Sequence, residues 1–277
     1  MILKSYAKIN LSLRVLNKLP NGLHDIQSCF FLINIYDKID ISKTHFKRDI
    51  INFKGKFRSY IDSKNNSITK TLKILRERKL LRSYYKVSIT KNIPVYSGLG
   101  GGSSNAASLI KYLSKKKIKI RDIKNFTKSL GSDLSLFFNK QSYQSGLYNF
   151  KKYRKNFHFY FVVLYPHLKC STKDIYNRYK FRKMSKRQYL PSINSDTMLK
   201  YLTKDENSLQ KVVLKRHPKL KKVLQFIKNQ KGCYFSRMTG SGSTCYGLFT
   251  NENSSKVALK KIKKKYPKFS FLTVKTI

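Results

Sequence analysis

The 277-residue chain has no tryptophan and only 4 cysteines, which are Cys29, Cys170, Cys233 and Cys245. No two of them have the Cys-x-x-Cys spacing, and the 5 histidines are scattered along the chain. These patterns do not match zinc sites, in which closely spaced Cys and His pairs supply the ligands. We therefore predict no metal-ligand cluster, and buried free thiols rather than disulfides.

Long apolar runs are also missing. The two longest, near Phe30–Ile33 and Phe161–Tyr165, are far too short to cross a bilayer. Lys4 and Lys8 interrupt the N-terminal segment, which therefore lacks the apolar core of a signal peptide. The sequence predicts a cytoplasmic protein with no membrane partner.

Acidic residues are scarce, since 13 Asp and Glu stand against 60 Lys and Arg, for a formal net charge of +47. Such a charge suits a nucleic-acid-binding protein. It also suits compositional drift, because the abundant Lys, Ile, Asn, Tyr and Phe all have A/T-rich codons. In the region Lys260–Lys265 the lysines alternate with apolar residues, as on the solvated face of an amphipathic helix, and no RNP motif, zinc finger or arginine-rich tail is present. Drift is the favoured interpretation, no specific nucleic-acid partner is predicted, and the charge is expected to attract a polyanionic substrate.

A glycine-rich segment, Pro94–Ser108, places four glycines, followed by Ser103 and Ser104, between a strand pattern and a helix pattern. Glycine allows a positive φ and a close approach of backbone N–H groups to a ligand, and a helix beginning at Ser103 or Ser104 would add further donors. This combination predicts a phosphate-binding loop, with a flexible linker as the structural alternative. No lysine follows the glycines as in a Walker A loop, and position 103 is serine where the dinucleotide fingerprint needs glycine.

Hydrophobic periodicity predicts an α/β or α+β chain. One strand carries alternating apolar residues from Ala7 to Val15, so that Lys8 and Asn10 project side by side from the other face. Further strands are predicted over 24–41, 85–89, 157–165, 233–238, 244–249 and 270–275, and helices over 64–80, 121–130, 205–229 and 253–265. A polar stretch near 150–157 predicts a boundary between a domain 1–155 and a domain 156–277.

Three segments together resemble the small-molecule kinases of the galactokinase, homoserine kinase, mevalonate kinase and phosphomevalonate kinase superfamily. They are Tyr6–Leu13, Pro94–Ala107 and Met238–Ser243. The resemblance extends along nearly the whole chain. It implies a two-domain kinase fold with the active site in the interdomain cleft, and ATP and Mg²⁺ as cofactors.

Within that superfamily, the opening Ala7–Leu11, the turn Asn21–His24 and the full glycine string are similar to the members that act on a cytidine diphosphate conjugate of methylerythritol. The resemblance implies ATP-dependent phosphorylation of its 2-hydroxyl in the non-mevalonate isoprenoid pathway. The expected protein is a monomer or weak homodimer. A homoserine kinase, or a basic nucleic-acid-binding protein that keeps the kinase fold, stays open as an alternative.

The resemblance also implies roles for matching positions. Lys8 and Asp133 match the catalytic residues. The expected ATP-binding residues are Asn66, Pro94, Gly98, Leu99, Gly100, Gly101, Gly102, Ser103 and Ser104. The expected substrate-binding residues are Asn10, His24, Tyr176, Gly240 and Ser241, with His24 and Tyr176 toward the cytosine.

Each role has a structural alternative. Asp133 would cap a short helix, Lys8 would be one more surface lysine, His24 would be a turn or core residue, and Tyr176 would be ordinary core. The chain also departs from the family at Leu23, where a tyrosine usually precedes the histidine. Loss of that ring predicts weaker substrate binding than in a typical member.

Overall fold

The computed structural model describes residues 1–20, 22–114, 118–181, 189 and 193–277. These residues form two compact units built from interleaved segments of the chain. Unit 1 contains Met1–Ala7, Ile35–Val95 and Gly100–Asn139, and unit 2 contains Lys8–Asn34, Tyr96–Leu99 and Lys140–Ile277. The domain boundary near residue 155 that the polar stretch predicts stays a prediction.

The first half of the chain supplies the regular elements of unit 1, those that it shares with unit 2, and strand β2 of unit 2. The strands are β1 (Ile2–Asn10), β2 (Arg14–Lys18), β3 (His24–Thr44), β4 (Ile50–Lys54) and β5 (Tyr84–Thr90). The helices are α1 (Ser67–Glu77), α2 (Gly101–Leu113) and α3 (Ile120–Leu130), with 3₁₀ segments at Arg58–Tyr60 and Ser132–Phe138.

The second half of the chain supplies the remaining elements of unit 2. The strands are β6 (Gln141–Gln144), β7 (Phe150–Lys152), β8 (Tyr160–Tyr165), β9 (Cys233–Met238), β10 (Cys245–Phe249) and β11 (Ser270–Lys275). The helices are α4 (Thr172–Asn177), α5 (Ser195–Thr203), α6 (Gln210–Arg216), α7 (Lys219–Lys228) and α8 (Glu252–Lys265).

Unit 1 contains a small sheet and three helices that pack on one another. The second half of β3 pairs antiparallel with β5, with Ile39 opposite Ile89, and β5 pairs in parallel with β4. Ile39 and Ile89 are fully buried. Helix α2 packs against α1 and against the 3₁₀ segment Ser132–Phe138. These contacts hold the amino end of α2 within a packed framework.

Unit 2 contains an antiparallel sheet in the order β11-β8-β10-β9, with α7 and α8 packed on it. In the same unit the first half of β3 pairs with β2 and β6, and β6 pairs with β7. The core between strands and helices is largely aliphatic, with Val162, Ile227 and Ile262 fully buried. No helix in the described ranges is long and apolar enough to span a membrane.

The mixed α/β class and the strands at 233–238 and 270–275 are confirmed. Two predicted elements are wrong in detail. The strand from Ala7 to Val15 is interrupted, because the N–H groups of both Leu11 and Ser12 bond the Cys29 carbonyl and β2 starts only at Arg14. The helix 205–229 is two helices, since Pro218 cannot continue the hydrogen bonding of α6.

Candidate active site

The glycine-rich loop ends in helix α2, which begins at Gly101 and not at the predicted Ser103 or Ser104. Gly100 occupies the cap position with a left-handed φ of 73°, and no side chain caps the helix. The first intrahelical bond runs from Ser104 N to Gly100 O at 2.9 Å, so the N–H groups of Gly101, Gly102 and Ser103 have no acceptor within the helix. The first turn contains no acidic residue. This end of α2 is therefore suited to bind an anion.

The two serines of this turn have different surroundings. Ser104 is buried, its hydroxyl donates to the Tyr6 carbonyl at 2.6 Å, and it receives a hydrogen bond from the Ser5 hydroxyl at 2.7 Å. Ser103 is partly exposed. Ser104 thus ties α2 to β1, whereas Ser103 presents its hydroxyl near the exposed end of the helix.

A buried ion pair that the sequence analysis missed lies beside this helix start. Lys91 donates to Asp37, and both side chains are almost completely buried. Asp37 also accepts hydrogen bonds from the backbone N–H groups of Asn92 and Ile93, both at 2.8 Å. A Cβ on Gly101 would lie 2.9 Å from Ile93 and 3.3 Å from the Lys91 ammonium. The pair therefore fixes the backbone on which the first turn of α2 rests.

The sequence feature that could have indicated this ion pair is an acidic residue within an apolar strand. Asp37 is one of 13 acidic residues and sits between Ile35 and Ile39 of β3. Burial lowers the pKa of Lys91 and the Asp37 charge opposes that shift.

Asn66 caps helix α1, which starts at Ser67. Its side-chain oxygen accepts from the N–H groups of Ile68 and Thr69, both at 3.0 Å, and its amide donates to the carbonyls of Asp62 and Ser63. The Asn66 side chain therefore makes four hydrogen bonds within unit 1. The adjacent Ser67 hydroxyl lies 3.7 Å from where a Gly102 Cβ would be, which brings the α1 cap close to the glycine loop. Contact of Asn66 with adenine stays a prediction.

Asp133 lies in the first turn of the 3₁₀ segment Ser132–Phe138, and it is partly exposed. The cap position of that segment belongs to Gly131, whose φ is 112°. Asp133 is therefore not the N-cap that the structural alternative proposed. Pro94, also in unit 1, is buried in the turn after β5.

Lys8 and Asn10 form a buried polar pair in unit 2. Lys8 is only 2% exposed and its ammonium donates to the Asn10 side-chain oxygen. The Asn10 amide donates in turn to the Ser28 hydroxyl at 2.8 Å. The predicted side-by-side arrangement is confirmed, and the surface-lysine alternative is wrong. Burial of a lysine beside an amide is costly in free energy and is typical of functional positions.

The second glycine loop, Thr239–Thr244, lies directly against this pair. A Cβ on Gly240 would be 3.1 Å from the Lys8 ammonium and 3.3 Å from the Asn10 oxygen. The Thr239 hydroxyl accepts from the Asn10 backbone N–H at 3.0 Å. Glycine at position 240 therefore lets the backbone of the second loop lie directly against the Lys8 ammonium and the Asn10 side chain.

Two polar side chains hold this second loop in place. The Asn207 amide donates to the carbonyls of Met238 and Gly240, both at 2.8 Å. The Ser241 hydroxyl lies 3.0 Å from that of Thr172, at the start of α4. The sequence analysis did not assign this role to Asn207.

The first glycine loop reaches the same place through Gly98 and Leu99. The Leu99 carbonyl accepts the Lys8 N–H at 3.1 Å, and Gly98 has a φ of 77°. In unit 2 the structure thus brings together Lys8, Asn10, Gly98, Leu99, Gly240 and Ser241.

His24 and Tyr176 are in contact in the same unit. Their ring centroids are 4.7 Å apart with a 37° angle between the planes. Burial, aided by the positive charge of Lys18, lowers the pKa of His24 from its ordinary value of 6.5. His24 is therefore a neutral imidazole at pH 7, with one donor and one acceptor nitrogen. The ring of Phe181, which the sequence analysis missed, also stacks on His24.

The described residues contain no group of three or more His, Cys, Asp and Glu side chains placed to hold a metal ion. The four cysteines are free thiols, and Cys29, Cys170 and Cys245 are buried. Unit 1 thus offers the backbone N–H donors of α2 and the partly exposed Asp133 carboxylate, and unit 2 offers the buried Lys8 ammonium and the His24–Tyr176 ring pair. Backbone donors and a buried ammonium are groups that stabilise anions.

Comparison with known proteins places two parts of the chain in one family. The model described as "GHMP kinases N terminal domain" matches residues 66–131, and "GHMP kinases C terminal" matches residues 189–268. The first match contains the Asn66 cap and the start of α2, and the second contains the Thr239–Thr244 loop.

Full-length relatives carry a more specific name. A protein named 4-diphosphocytidyl-2-C-methyl-D-erythritol kinase from Pelagibacter ubique (strain HTCC1062) is 38% identical over 281 residues, which cover 99% of this chain and 98% of that protein. A protein of the same name from Clostridium botulinum (strain Langeland / NCTC 10281 / Type F) is 31% identical over 279 residues, with coverages of 96% and 97%.

Solved structures show the same fold. A crystal structure of 4-(cytidine 5'-diphospho)-2C-methyl-D-erythritol kinase superposes with a TM-score of 0.73 at 21% identity and 99% coverage of both chains. The homoserine kinase from Cytophaga hutchinsonii ATCC 33406 has a TM-score of 0.67 at 16% identity, covering 100% of this chain and 93% of that one. The predicted two-domain kinase fold is therefore confirmed.

Proposed function

Because this chain belongs to the 4-diphosphocytidyl-2-C-methyl-D-erythritol kinases of the GHMP kinase family, we propose that it transfers the γ-phosphoryl group of ATP to the 2-hydroxyl of 4-diphosphocytidyl-2-C-methyl-D-erythritol. The observation that carries the proposal is the buried Lys8–Asn10 pair beneath Gly240. A buried ammonium that lies against the backbone of a glycine loop is suited to stabilise a negatively charged phosphate group.

The amino end of α2 is proposed to bind the ATP phosphates. Its N–H groups at Gly101, Gly102 and Ser103 point out of the helix, and its macrodipole is positive at that end. Gly102 has only the Ser67 side chain within 4 Å of a hypothetical Cβ, which leaves room for a phosphate to approach the backbone. Asn66, which caps α1 close to this loop, is proposed to line the adenine side, with Pro94 in the segment that follows β5.

Lys8 is proposed to stabilise the phosphoryl group during transfer. Phosphoryl transfer needs cationic groups that neutralise the charge developing on the equatorial oxygens. The hydrogen bond to Asn10 aims the ammonium, and the Asn10–Ser28 bond holds Asn10 in turn. Because the ammonium is excluded from bulk water, its attraction for the phosphoryl oxygens is stronger than at a surface.

Asp133 is proposed to accept the proton of the attacking hydroxyl, or to orient that hydroxyl for attack. Its side chain is partly exposed, and Gly131 already provides the cap of the 3₁₀ segment. A carboxylate beside the buried Leu134 and Leu136 is suited to this role because an apolar border limits its hydration.

The donor set fits a Mg²⁺ ion that is held mainly by ATP. Mg²⁺ commonly binds to proteins through one or two oxygen ligands plus substrate phosphates and water, and bound in that way it neutralises phosphate charge. Ser103 offers its hydroxyl on the partly exposed turn, whereas both hydrogen bonds of the Ser104 hydroxyl are directed into the protein. We therefore assign this role to Ser103 rather than to Ser104.

The cytidine end of the substrate is proposed to bind at His24 and Tyr176. A neutral imidazole offers a donor and an acceptor to the polar edge of cytosine, and the phenol ring offers a flat apolar face. Asn10, Gly240 and Ser241 are proposed to contact the remainder of the substrate near the Lys8 ammonium.

The test is acceptor selectivity. Purified protein is incubated with MgATP and, separately, the cytidine diphosphate substrate, homoserine or mevalonate, and ADP formation and the phosphorylated product are quantified. The proposal predicts stoichiometric ADP and a 2-phosphorylated product with the cytidine substrate alone. Turnover of homoserine instead would overturn it, as would salt-sensitive DNA binding without any ATP turnover.

A further inference from the structure

Phe181 forms a three-ring cluster with His24 and Tyr176. The Phe181 and His24 rings are stacked, with centroids 5.6 Å apart and only 13° between their planes. Tyr176 contacts His24 with a centroid distance of 4.7 Å. His24 thus has two aromatic neighbours, and both come from the segment that contains α4 and the turn after it.

The chain after α4 is built to bring Phe181 to this place. Ser171 caps α4 by accepting the Asp174 N–H, and the Tyr179 N–H then bonds the Tyr176 carbonyl at 3.1 Å, which closes a turn. Tyr179 is buried, and its ring meets Phe181 edge to face at 5.4 Å. Phe181 is therefore positioned by a buried neighbour and by a defined turn.

Packing within the protein does not account for this position. Phe181 is 44% exposed, so much of one of the largest apolar side chains faces water. A single exposed aromatic ring is common on protein surfaces. Here the exposed ring is stacked on a half-buried histidine that also contacts a tyrosine, so the cluster forms a flat apolar surface with the imidazole as its polar edge. Leu23, immediately before His24, supplies no ring.

We infer that Phe181 is a specificity-determining residue that provides an aromatic face on which the pyrimidine base of the substrate stacks, taking the role for which Leu23 has no ring. The inference rests on the proposed function, since it concerns the same substrate. Bases stack on aromatic side chains with favourable free energy, and a planar Phe is suited to a base whose polar edge is bound elsewhere, here by His24. Stacking on Phe181 would then offset the weaker substrate binding that is expected from a leucine at position 23.

The experiment compares Phe181→Ala, Phe181→Leu and Phe181→Tyr with the wild type. Two quantities are measured: the KM for the cytidine substrate, and the Kd for cytidine diphosphate by calorimetry without ATP. Loss of the ring is expected to raise both about tenfold, with a smaller change in kcat. Phe181→Leu keeps an apolar side chain and guards against a folding defect, and Phe181→Tyr restores the ring and is expected to stay within about twofold of wild type.

The matched control is Phe46→Ala, which removes another exposed phenylalanine, 63% exposed and located in unit 1. It is expected to change neither KM nor Kd. A second arm adds Leu23→Tyr, which should lower KM more in the Phe181→Ala background than in the wild type. This non-additivity distinguishes a shared base-stacking role from a general effect on the fold.

The outcomes separate this inference from the proposed function. Unchanged KM and Kd in folded Phe181→Ala and Phe181→Leu would overturn the inference, while wild-type turnover would leave the proposed function standing. Binding of cytidine diphosphate that depends on Phe181, without turnover of the substrate, would support the inference and overturn the function. Failure of the wild type to bind or turn over either compound would overturn both.

Discussion

Gly98 lies so close to Thr239 that a Cβ on Gly98 would be 2.2 Å from the Thr239 carbonyl oxygen. The two residues belong to the two glycine-rich loops, and the Thr239 hydroxyl also accepts the Asn10 N–H. The loops can therefore approach each other, beside Asn10, only while position 98 has no side chain.

The first prediction follows from this close approach. Gly98→Ala is expected to lower the free energy of unfolding by about 2–5 kcal/mol. This range is the sum of the cost of a left-handed backbone at alanine and the cost of overpacking the new Cβ against a backbone carbonyl. The control is Gly22→Ala, because Gly22 has the same φ of 77° with no atom within 4 Å of a Cβ. Strain alone should cost about 1–2 kcal/mol there. Equal losses in urea denaturation for the two variants would contradict the close approach.

The second prediction separates the two serines at the start of α2. Ser104→Ala removes the hydroxyl that bonds Tyr6 and Ser5, and is expected to lower the free energy of unfolding by about 1–3 kcal/mol. Ser103→Ala should leave stability within about 0.5 kcal/mol of wild type, but raise the Mg²⁺ concentration needed for half-maximal activity. Thermal unfolding and Mg²⁺ titration provide the two measurements. The reverse pattern would exchange the roles of the serines.

The third prediction concerns the buried Lys91–Asp37 pair. Lys91→Met is expected to cost about 3–5 kcal/mol because it leaves a buried carboxylate without its counter-ion. Asp37→Ala should cost at least as much, because the N–H groups of Asn92 and Ile93 also lose their acceptor. The double variant Lys91→Met/Asp37→Asn should lose less than the sum of the Lys91→Met and Asp37→Asn losses. Additive losses in urea denaturation would show that the two charges do not interact.

The fourth prediction is a pH dependence at His24. Its pKa is lowered by burial and by Lys18, so the unfolded state takes up this proton at a higher pH than the folded state does. The contribution of neutral His24 to stability is therefore complete above pH 6.5 and is lost as the pH falls below that value. The KM for the cytidine substrate should likewise be constant from about pH 8 to 6.5 and rise only below.

His24→Gln serves as the test of that assignment, since it removes the titrating group and should flatten the acid rise in KM. His217→Gln is the matched control, because His217 also has a pKa lowered by burial and by Arg216. The contrary result is a wild-type KM that already rises as the pH falls from about 8 to 6.5, with this rise absent in His24→Gln. It would mean that the pKa of His24 is raised and not lowered.

Much of the fold could be predicted because short-range patterns determine it. Alternation at Val87 and Ile89 predicts β5, and α3 ends at Gly131, whose positive φ of 112° suits glycine. The failures also have local causes. Pro218 divides the predicted 205–229 helix, and α1 starts at Ser67 because the Asn66 side chain caps it there. The strands β4, β6 and β7 are short, and their side chains do not alternate clearly enough to be predicted.

The site could be predicted only where residue types are unusual. The glycine strings at Gly98–Gly102 and Gly240–Gly242 are visible in any reading of the sequence. The burial of Lys8 is not, because it depends on strand β1 being covered on both faces. The contact of Phe181 with His24 depends on a turn after α4 and joins residues 157 positions apart, a separation that no local pattern can specify.

The proposed roles of Lys8 and Asp133 in phosphoryl transfer are tested most directly with the variants Asp133→Asn and Lys8→Met. The measurement is the rate of substrate-dependent ADP formation by each variant at saturating MgATP. Controls are Asp40→Asn and Lys256→Met, which change exposed side chains of the same charge. We predict that Asp133→Asn lowers kcat about 100- to 10,000-fold and Lys8→Met at least about 100-fold, while both still bind ATP and the controls match wild type. Wild-type kcat in a folded Asp133→Asn variant would contradict the proposed role of Asp133 in phosphoryl transfer.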